Sequence, residues 1–152
     1  MARNVGLTHQ VQLQSAYHVG GSSCAVRRTI GTPHGANIKV RTTGVARTLV
    51  DIAVRPGYAG GARRVLDAYR SALARNDAGM LIDELTETLN ALSHVYPYHQ
   101  AVGFYVEKAG ADEAVTAPLG ARGLLYDFYL DYAMESPRHD SKWRVYYPAG
   151  LL

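Results

Sequence analysis

The chain has 152 residues, of which 47% are hydrophobic and 19% are charged, as in an ordinary globular protein and not in a disordered one. A chain of this length can bury about 70% of its unfolded surface, so we expect one domain over residues 1–152 that folds without a disulfide or a metal. The net charge of +3 permits contact with nucleic acid or an acidic partner but requires neither.

The sequence also indicates a compartment. Cys24 is the only cysteine, so no internal disulfide can form, and the first residues lack a signal-peptide pattern. No apolar run approaches the roughly 18 residues that a membrane-spanning helix needs. We therefore predict a cytoplasmic protein in a reducing environment.

The first elements along the chain are predicted to be strands. Apolar and polar residues alternate over residues 11–19, which is typical of a half-buried strand, and Gly20-Gly21 ends it. A second strand is predicted over residues 24–30, a turn over 32–35 and a third strand over 38–41. These segments predict a small antiparallel sheet.

Four helices are predicted next. Thr42 or Thr43 can cap the first, and Pro56-Gly57 can stop it. Gly60-Gly61 opens the second, and Asn76-Asp77 ends it and caps the third. Apolar residues recur at helical spacing within each segment. The predicted helices cover residues 45–54, 62–73, 78–92 and 97–109.

The last part of the chain returns to strands. A short helix or turn is predicted from Thr116 to about Leu125. Alternation of apolar and polar residues predicts strands over 128–132 and 143–147, with a loop over 136–140, and we interpret the two strands as a hairpin. The predicted fold is therefore α+β: a small N-terminal antiparallel sheet, a four-helix cluster and a C-terminal β-hairpin.

The sequence contains no motif typical of metal binding or of nucleophilic catalysis. No two histidines have the spacing of a helical zinc site with a glutamate between them, and no CxxC motif is present, so no metal or cofactor is predicted. Cys24 and Ser22-Ser23 lack the sequence context of a catalytic nucleophile. The six histidines are His9, His18, His34, His94, His99 and His139.

Two acidic residues near the C-terminus could act together. Asp127 and Asp131 lie four apart on a predicted strand, so they share a face and could meet one ligand. We favour a simpler interpretation, in which both are solvated or pair with Arg144 and Lys142 across the hairpin. Catalytic residues are therefore not predicted.

Polar and aromatic clusters are better candidates for structure or for contacts with a partner. Arg47 and Asp51 are four apart on one helical face, where an ion pair is expected, and they could also tie this helix to the sheet or to the Tyr-rich hairpin. Tyr96 and Tyr98 can pack over a helix start while Tyr105 enters the core. Their exposed members could instead anchor a protein partner.

Two segments about forty residues apart carry a family resemblance. The first, residues 43–61, contains Ala46-Arg-Thr-Leu-Val-Asp51, and the second is residues 95–105. Together they resemble the C-terminal domain of the AbiEi family, the antitoxins of type IV toxin–antitoxin systems. The hexapeptide is similar to the family's helical "ERTLVD" signature, with Ala46 in place of the acidic residue.

The resemblance extends over nearly the whole chain. It begins near residues 6–11 and ends with Phe128-Tyr-Leu130 and Trp143-Arg-Val-Tyr-Tyr-Pro148, which are similar to the family's closing hairpin. The residues taken as its structural motif are Arg47, Thr48, Asp51 and Trp143.

The resemblance implies a non-enzymatic antitoxin that counteracts a nucleotidyltransferase-like toxin in abortive infection, a form of phage defence. If the two proteins bind directly, we place the interface on Arg63, Arg64, Tyr69, Tyr96, Tyr98 and His99. Antagonism without contact is the other mode that the resemblance allows.

Antitoxins of this kind commonly carry an N-terminal winged-helix domain that represses their operon. Few residues precede the first predicted strand, so we expect the antitoxin domain alone, with operator DNA a doubtful partner. Two other hypotheses are a DNA-binding regulator that uses dispersed arginines and an enzyme that acts through Asp127 and Asp131.

Overall fold

The computed structural model describes residues 25–132 and 134–152. The strand predicted over residues 11–19 lies outside them, as do Gly20 to Cys24 and two histidines, His9 and His18. Within the described residues the fold is α+β, as predicted. A two-stranded antiparallel sheet is followed by five α-helices and then by a three-stranded sheet.

The first two strands form an antiparallel ribbon. They are β1 (Ala25–Gly31) and β2 (Asn37–Thr43), and the register pairs Ala25 with Thr43 and Gly31 with Asn37. The predicted turn joins them, because the Thr32 amide donates to the Ala36 carbonyl at 2.7 Å. Neither strand packs extensively against any described helix or against the second sheet, so the ribbon stands apart from them.

The helical spans agree with the amphipathic periodicity of the sequence. They are α1 (Val45–Val54), α2 (Ala62–Leu73), α3 (Ala78–Leu92), α4 (Tyr98–Lys108) and α5 (Glu113–Gly120). A 3-10 turn (Pro56–Ala59) joins α1 to α2 and begins at the proline that was predicted to stop α1.

The cap predicted for α3 is confirmed and the cap predicted for α1 is wrong. The Asp77 carboxylate accepts a hydrogen bond from the Met80 amide at 2.9 Å. The residue that caps α1 is Gly44, which offers no side chain. The Thr43 hydroxyl lies 2.7 Å from that of Thr48, which in turn donates to the Gly44 carbonyl at 2.9 Å. This bonding holds Thr43 outside the helix start.

The fifth helix begins earlier than predicted. It covers Glu113–Gly120 and not the segment from Thr116 to about Leu125, so Pro118 lies inside it and not in its first turn. Proline lacks the amide that would complete a helical hydrogen bond at that position. The helix tolerates this loss because it is only eight residues long and ends two residues later.

The C-terminal sheet corrects the predicted strand pairing. Its strands are β3 (Phe128–Tyr129), β4 (Pro137–Asp140) and β5 (Val145–Pro148), in the order β3-β5-β4. The two strands predicted to form a hairpin, β3 and β5, are parallel, and the hairpin is formed by β4 and β5. The segment of β4 was predicted as a loop because it begins with proline, a residue that an edge strand tolerates.

Helix α4 is the centre of the core. Every residue from Gln100 to Val106 is buried, and the Tyr105 ring stacks on Tyr69 of α2 with centroids 5.3 Å apart. Trp143 is only 2% exposed and packs directly on α4 at Gly103. A Cβ atom added at Gly103 would lie 2.1 Å from the Trp143 ring, so only glycine fits there.

Hydrogen bonds and ion pairs attach the C-terminal sheet to α4. The Gln100 amide donates to the carbonyls of Tyr126 and Trp143, both at 2.8 Å, and the Trp143 indole donates to Glu107 at 2.9 Å. Lys108 contacts Asp140 at 2.7 Å. These bonds place β3 beside the start of α4, where the candidate site lies.

Candidate partner-binding site

A cleft of about 540 Å³ opens between the 3-10 turn, the start of α4 and the segment that contains β3. Six aromatic side chains line it, and we name it the aromatic cleft after them: Tyr58, Tyr96, Tyr98, Phe128, Tyr129 and Tyr132. Tyrosine combines a large apolar ring with a polar hydroxyl, which suits a surface that binds another molecule.

The floor of the aromatic cleft is held in place by ring packing. The Tyr96 and Tyr98 rings lie 5.5 and 5.7 Å from Phe128, and 5.5 Å from each other. Phe128 is 4% exposed, whereas Tyr96 is 53% exposed. Burial raises the pKa of the Tyr98 hydroxyl, as does the nearby Tyr132.

The rim of the cleft is open to solvent. Tyr58 is 70% exposed and Tyr132 is fully exposed. Tyr129 stacks on Tyr146 of β5 with centroids 4.4 Å apart, which restrains its ring although the residue is exposed. The cleft therefore presents large apolar area that the described residues do not cover.

Two charged side chains accompany these rings. The guanidinium carbon of Arg55 lies 5.7 Å from the Tyr58 ring centroid, within the range of a cation–π contact. Asp131 also lines the cleft and is half-buried. A ligand of the cleft can therefore meet one cation and one carboxylate.

The predicted pair of Arg47 and Asp51 is confirmed, with a nitrogen–oxygen distance of 2.8 Å. Arg47 is buried, and burial raises the pKa of Asp51 although Arg47 opposes this. Partial burial lowers the pKa of the nearby His94, and so does the charge of Arg47. Its ring also lies 4.9 Å from Tyr98, so His94 connects the surroundings of the ion pair to the aromatic cleft.

The structure separates the residues that the sequence placed on one interface. Only Tyr96 and Tyr98 line the aromatic cleft. Arg63 and Arg64 are exposed in the first turn of α2, where the Arg63 guanidinium donates to the Gly150 carbonyl. His99 is half-buried, with its Nε2 atom 2.6 Å from the Gly123 carbonyl, and burial lowers its pKa.

The position of Tyr69 requires a correction. Its side chain is fully buried, and its hydroxyl donates to the Leu49 carbonyl at 3.1 Å. Burial therefore raises its pKa well above the ordinary value. A partner cannot reach Tyr69 in this fold, because the residue belongs to the apolar stripe of α2 that faces the core.

Four charged or aromatic residues that line the cleft were not part of the predicted interface: Arg55, Tyr58, Tyr129 and Tyr132. The predicted alternation over residues 128–132 is partly right, since Phe128 and Leu130 are buried and Tyr129 is exposed. Tyr132 leaves the pattern because β3 ends at Tyr129. The cluster of tyrosines was visible in the sequence, but their meeting with the Pro56 turn was not.

The paired carboxylates do not meet in one pocket. Asp127 contacts Arg144 at 2.9 Å, as favoured, and lies 3.7 Å from His139. Asp131 lines the aromatic cleft, which Asp127 does not. The predicted partner Lys142 instead pairs with Glu107 at 2.6 Å and with Glu113 at 3.2 Å. The shared pocket that an enzyme hypothesis needs is not formed by these two residues.

Within residues 25–132 and 134–152, no group of three or more histidine, cysteine, aspartate or glutamate residues could hold a metal ion. In the same part of the chain, no helix combines the length and apolar character needed to cross a bilayer.

Comparison with known proteins identifies a relative. No protein-family model and no solved structure matches the chain. Over 70 residues, it is 34% identical to a protein named chaperone protein DnaJ 1 from Streptomyces albus G. The aligned part makes up 40% of this chain and 85% of the relative. Because it spans most of that relative at this identity, the chain belongs over these 70 residues to the same sequence family as the DnaJ 1 protein.

Proposed function

We propose that the protein is a non-enzymatic antitoxin that binds a nucleotidyltransferase-like toxin through the aromatic cleft. The observation that carries the proposal is the exposure of several tyrosines around a fixed aromatic floor. The identity of the partner rests on the resemblance to AbiEi antitoxins. The cytoplasm as the place where the two meet rests on the single cysteine, Cys24, which fits a reducing compartment.

The chemistry of the cleft suits a protein partner. Tyrosine and arginine are enriched among the interface residues that contribute most to binding free energy, and the cleft combines Tyr58, Tyr96 and Tyr132 with Arg55. Packing against Phe128 restrains Tyr96 before binding, so less side-chain entropy is lost when a complex forms. An apolar or aromatic side chain of the toxin can enter the cleft while polar groups meet Arg55 and Asp131.

We therefore revise the set of residues proposed for the interface. Tyr96 and Tyr98 stay in it, and Arg55, Tyr58 and Tyr132 join them. Arg63 and Arg64 lie outside the cleft and His99 is bonded to the backbone, so we expect smaller contributions from these three. Neutralisation without contact is the competing mode.

The experiment starts from the neighbouring reading frames, of which we expect one to encode a nucleotidyltransferase-like toxin, and measures the binding of that protein to the purified chain by titration. We expect a complex at micromolar concentrations or below. Tyr58→Ala combined with Tyr132→Ala should weaken it at least about tenfold, because hot-spot tyrosines contribute about 2 kcal/mol or more each. Tyr126→Ala is the matched control, since Tyr126 is 65% exposed and does not line the cleft.

Three results would remove this proposal. One is the absence of a complex at micromolar concentrations, and another is equal binding by the double variant and the wild type. The third is binding of an unfolded polypeptide in preference to the toxin, which would fit the relative that is named a chaperone protein.

A further inference from the structure

The charges of this protein are unevenly divided along the chain. Residues 1–50 contain six lysines and arginines and no acidic residue, a net charge of +6. Residues 51–152 contain ten lysines and arginines and thirteen acidic residues, a net charge of −3. Such asymmetry indicates a segment that interacts with a polyanion, although the net charge of the whole chain is only +3.

The ribbon concentrates this positive charge. Arg27 and Arg41 are directly paired across the two strands, and Lys39 lies two residues before Arg41. Residues that are directly opposite, or two apart on one strand, share a face of a sheet. Arg27, Lys39 and Arg41 are therefore on one face, and all three are exposed. Arginines that are scattered in the sequence become neighbours through the strand register.

The opposite face of the ribbon is different. It carries Val26, Ile30, Ile38 and Val40 together with Arg28. The first face is thus polar and basic, whereas the second is largely apolar. Like charges that lie directly opposite each other repel, and an anion bound on this face reduces such repulsion.

Shape and composition favour duplex DNA among polyanions. The major groove of B-DNA admits a two-stranded β-ribbon, whereas that of double-stranded RNA is too narrow for side chains to read. Proteins that bind single strands stack bases on aromatic rings, and residues 25–43 contain no phenylalanine, tyrosine or tryptophan. The same lack disfavours insertion at a membrane interface, where tryptophan and tyrosine are enriched.

We infer that the basic face of the ribbon, formed by Arg27, Lys39 and Arg41, binds the phosphate backbone of double-stranded DNA. This surface is distinct from the aromatic cleft, and its use does not depend on a toxin. It also differs from regulation by dispersed arginines or by a winged-helix domain.

The test is fluorescence anisotropy of a labelled DNA duplex of about 20 base pairs, titrated with the full chain at several salt concentrations. Three phosphate contacts predict that the logarithm of the binding constant falls with that of the salt concentration with a slope of about −3. Arg27→Gln combined with Lys39→Gln should lower affinity at least about tenfold at low salt and bring the slope to about −1. Toxin binding should be unchanged.

The matched control is Arg70→Gln combined with Arg138→Gln, which removes the same charge from exposed sites outside the ribbon. It should leave affinity within about twofold and the slope within about one unit. Circular dichroism verifies that both variants keep the wild-type fold. Equal losses in the two double variants would overturn the inference, because net charge alone would then explain binding. Preference for double-stranded RNA or for anionic vesicles over DNA, or no binding at low salt, would also overturn it.

Discussion

The helical core and the ribbon of this protein are stabilised by different interactions. In the core, α4 is buried along seven consecutive residues, and Gln100, Glu107 and Gly103 join it to Trp143. The ribbon is held by its own ladder of hydrogen bonds and a short turn, with Ile30 and Ile38 each 47% exposed. Within residues 25–132 and 134–152, side-chain packing therefore stabilises the core, whereas strand pairing is the main interaction of the ribbon.

This difference matters for function. A surface such as the aromatic cleft needs rings that are fixed before a partner arrives, and the core supplies that rigidity through Phe128. A basic ribbon needs only exposed cations at a regular spacing, which strand pairing provides. Matched substitutions in or near the two regions test this difference in stabilisation.

The largest difference should come from truncating buried against exposed aliphatic residues. Leu66 of α2 is fully buried, so Leu66→Ala should lower the free energy of unfolding by about 3 kcal/mol through lost burial and a new cavity. Ile38→Ala in the ribbon should cost less than about 1 kcal/mol, because half of that side chain is already in water. Urea unfolding followed by circular dichroism measures both. Similar losses would mean that the ribbon is packed as tightly as the core.

The next largest difference in stability between the two regions should come from replacing a glycine by alanine. Gly103→Ala places a Cβ atom 2.1 Å from the Trp143 ring, so the helix or the indole must move, at a cost of about 2 kcal/mol. Gly31→Ala in the ribbon places it 3.7 Å from the Asn37 side chain, an ordinary contact, and should change stability by less than about 0.5 kcal/mol. Thermal unfolding of the two variants gives the comparison. A neutral Gly103→Ala would show that Trp143 can be displaced freely.

Within the core, removal of a buried tyrosine hydroxyl should have different effects at two stacked positions. Tyr69 and Tyr105 are both buried and stacked, but only the Tyr69 hydroxyl has a hydrogen-bond partner among the described residues. Tyr69→Phe should therefore cost about 1 kcal/mol. Tyr105→Phe should be neutral or stabilising, since it removes an unpaired buried polar atom. Equilibrium denaturation measures this, and a larger loss in Tyr105→Phe would contradict the bonding described.

The smallest expected effect is a pH dependence at the attachment of the sheet. Burial raises the pKa of Glu107, but bonds from Lys142, Trp143 and Lys108 outweigh it, so the pKa is lowered from its ordinary value of 4.5. A carboxyl with a lowered folded-state pKa stabilises the fold above its unfolded pKa and loses that contribution as pH falls through the folded value. Glu107→Gln should therefore reduce stability at about pH 7 and much less at about pH 3.

The matched control for this variant is Glu113→Gln, because Glu113 is 83% exposed in its pair with Lys142 and should contribute little. Urea unfolding of all three proteins at the two pH values isolates Glu107 from other carboxyls. A constant difference between Glu107→Gln and the wild type across that range would contradict the proposed ion-pair network.

Local patterns predicted much of the fold. The 3.6-residue periodicity located α1 to α4, and Asp77 was identified as a cap because a carboxylate before an apolar stripe satisfies a free amide. The strands that became β1 and β2 were predicted, as was the turn between them. The C-terminal pairing was not, because β3 and β5 have only two paired residues and their parallel register depends on how α4 holds Trp143.

The candidate site was less predictable than the fold. Tyr69 belongs to an apolar stripe that already indicated burial, yet its residue type suggested an interface. The partners of Tyr96 and Tyr98 come from segments that begin about forty residues earlier and thirty residues later along the chain. Spacing within one element carries no information on such contacts, since they arise only when separate elements pack together.

Amphipathic spacing, caps and glycine or proline breaks were enough to specify which segments are helices and strands, because those preferences act over a few neighbouring residues. Assembly of the aromatic cleft, burial of Tyr69 and alignment of Arg27 with Lys39 and Arg41 were decided by tertiary packing and strand register. Those outcomes depend on contacts between residues distant along the chain, where a shift of one residue reverses the face on which a side chain lies.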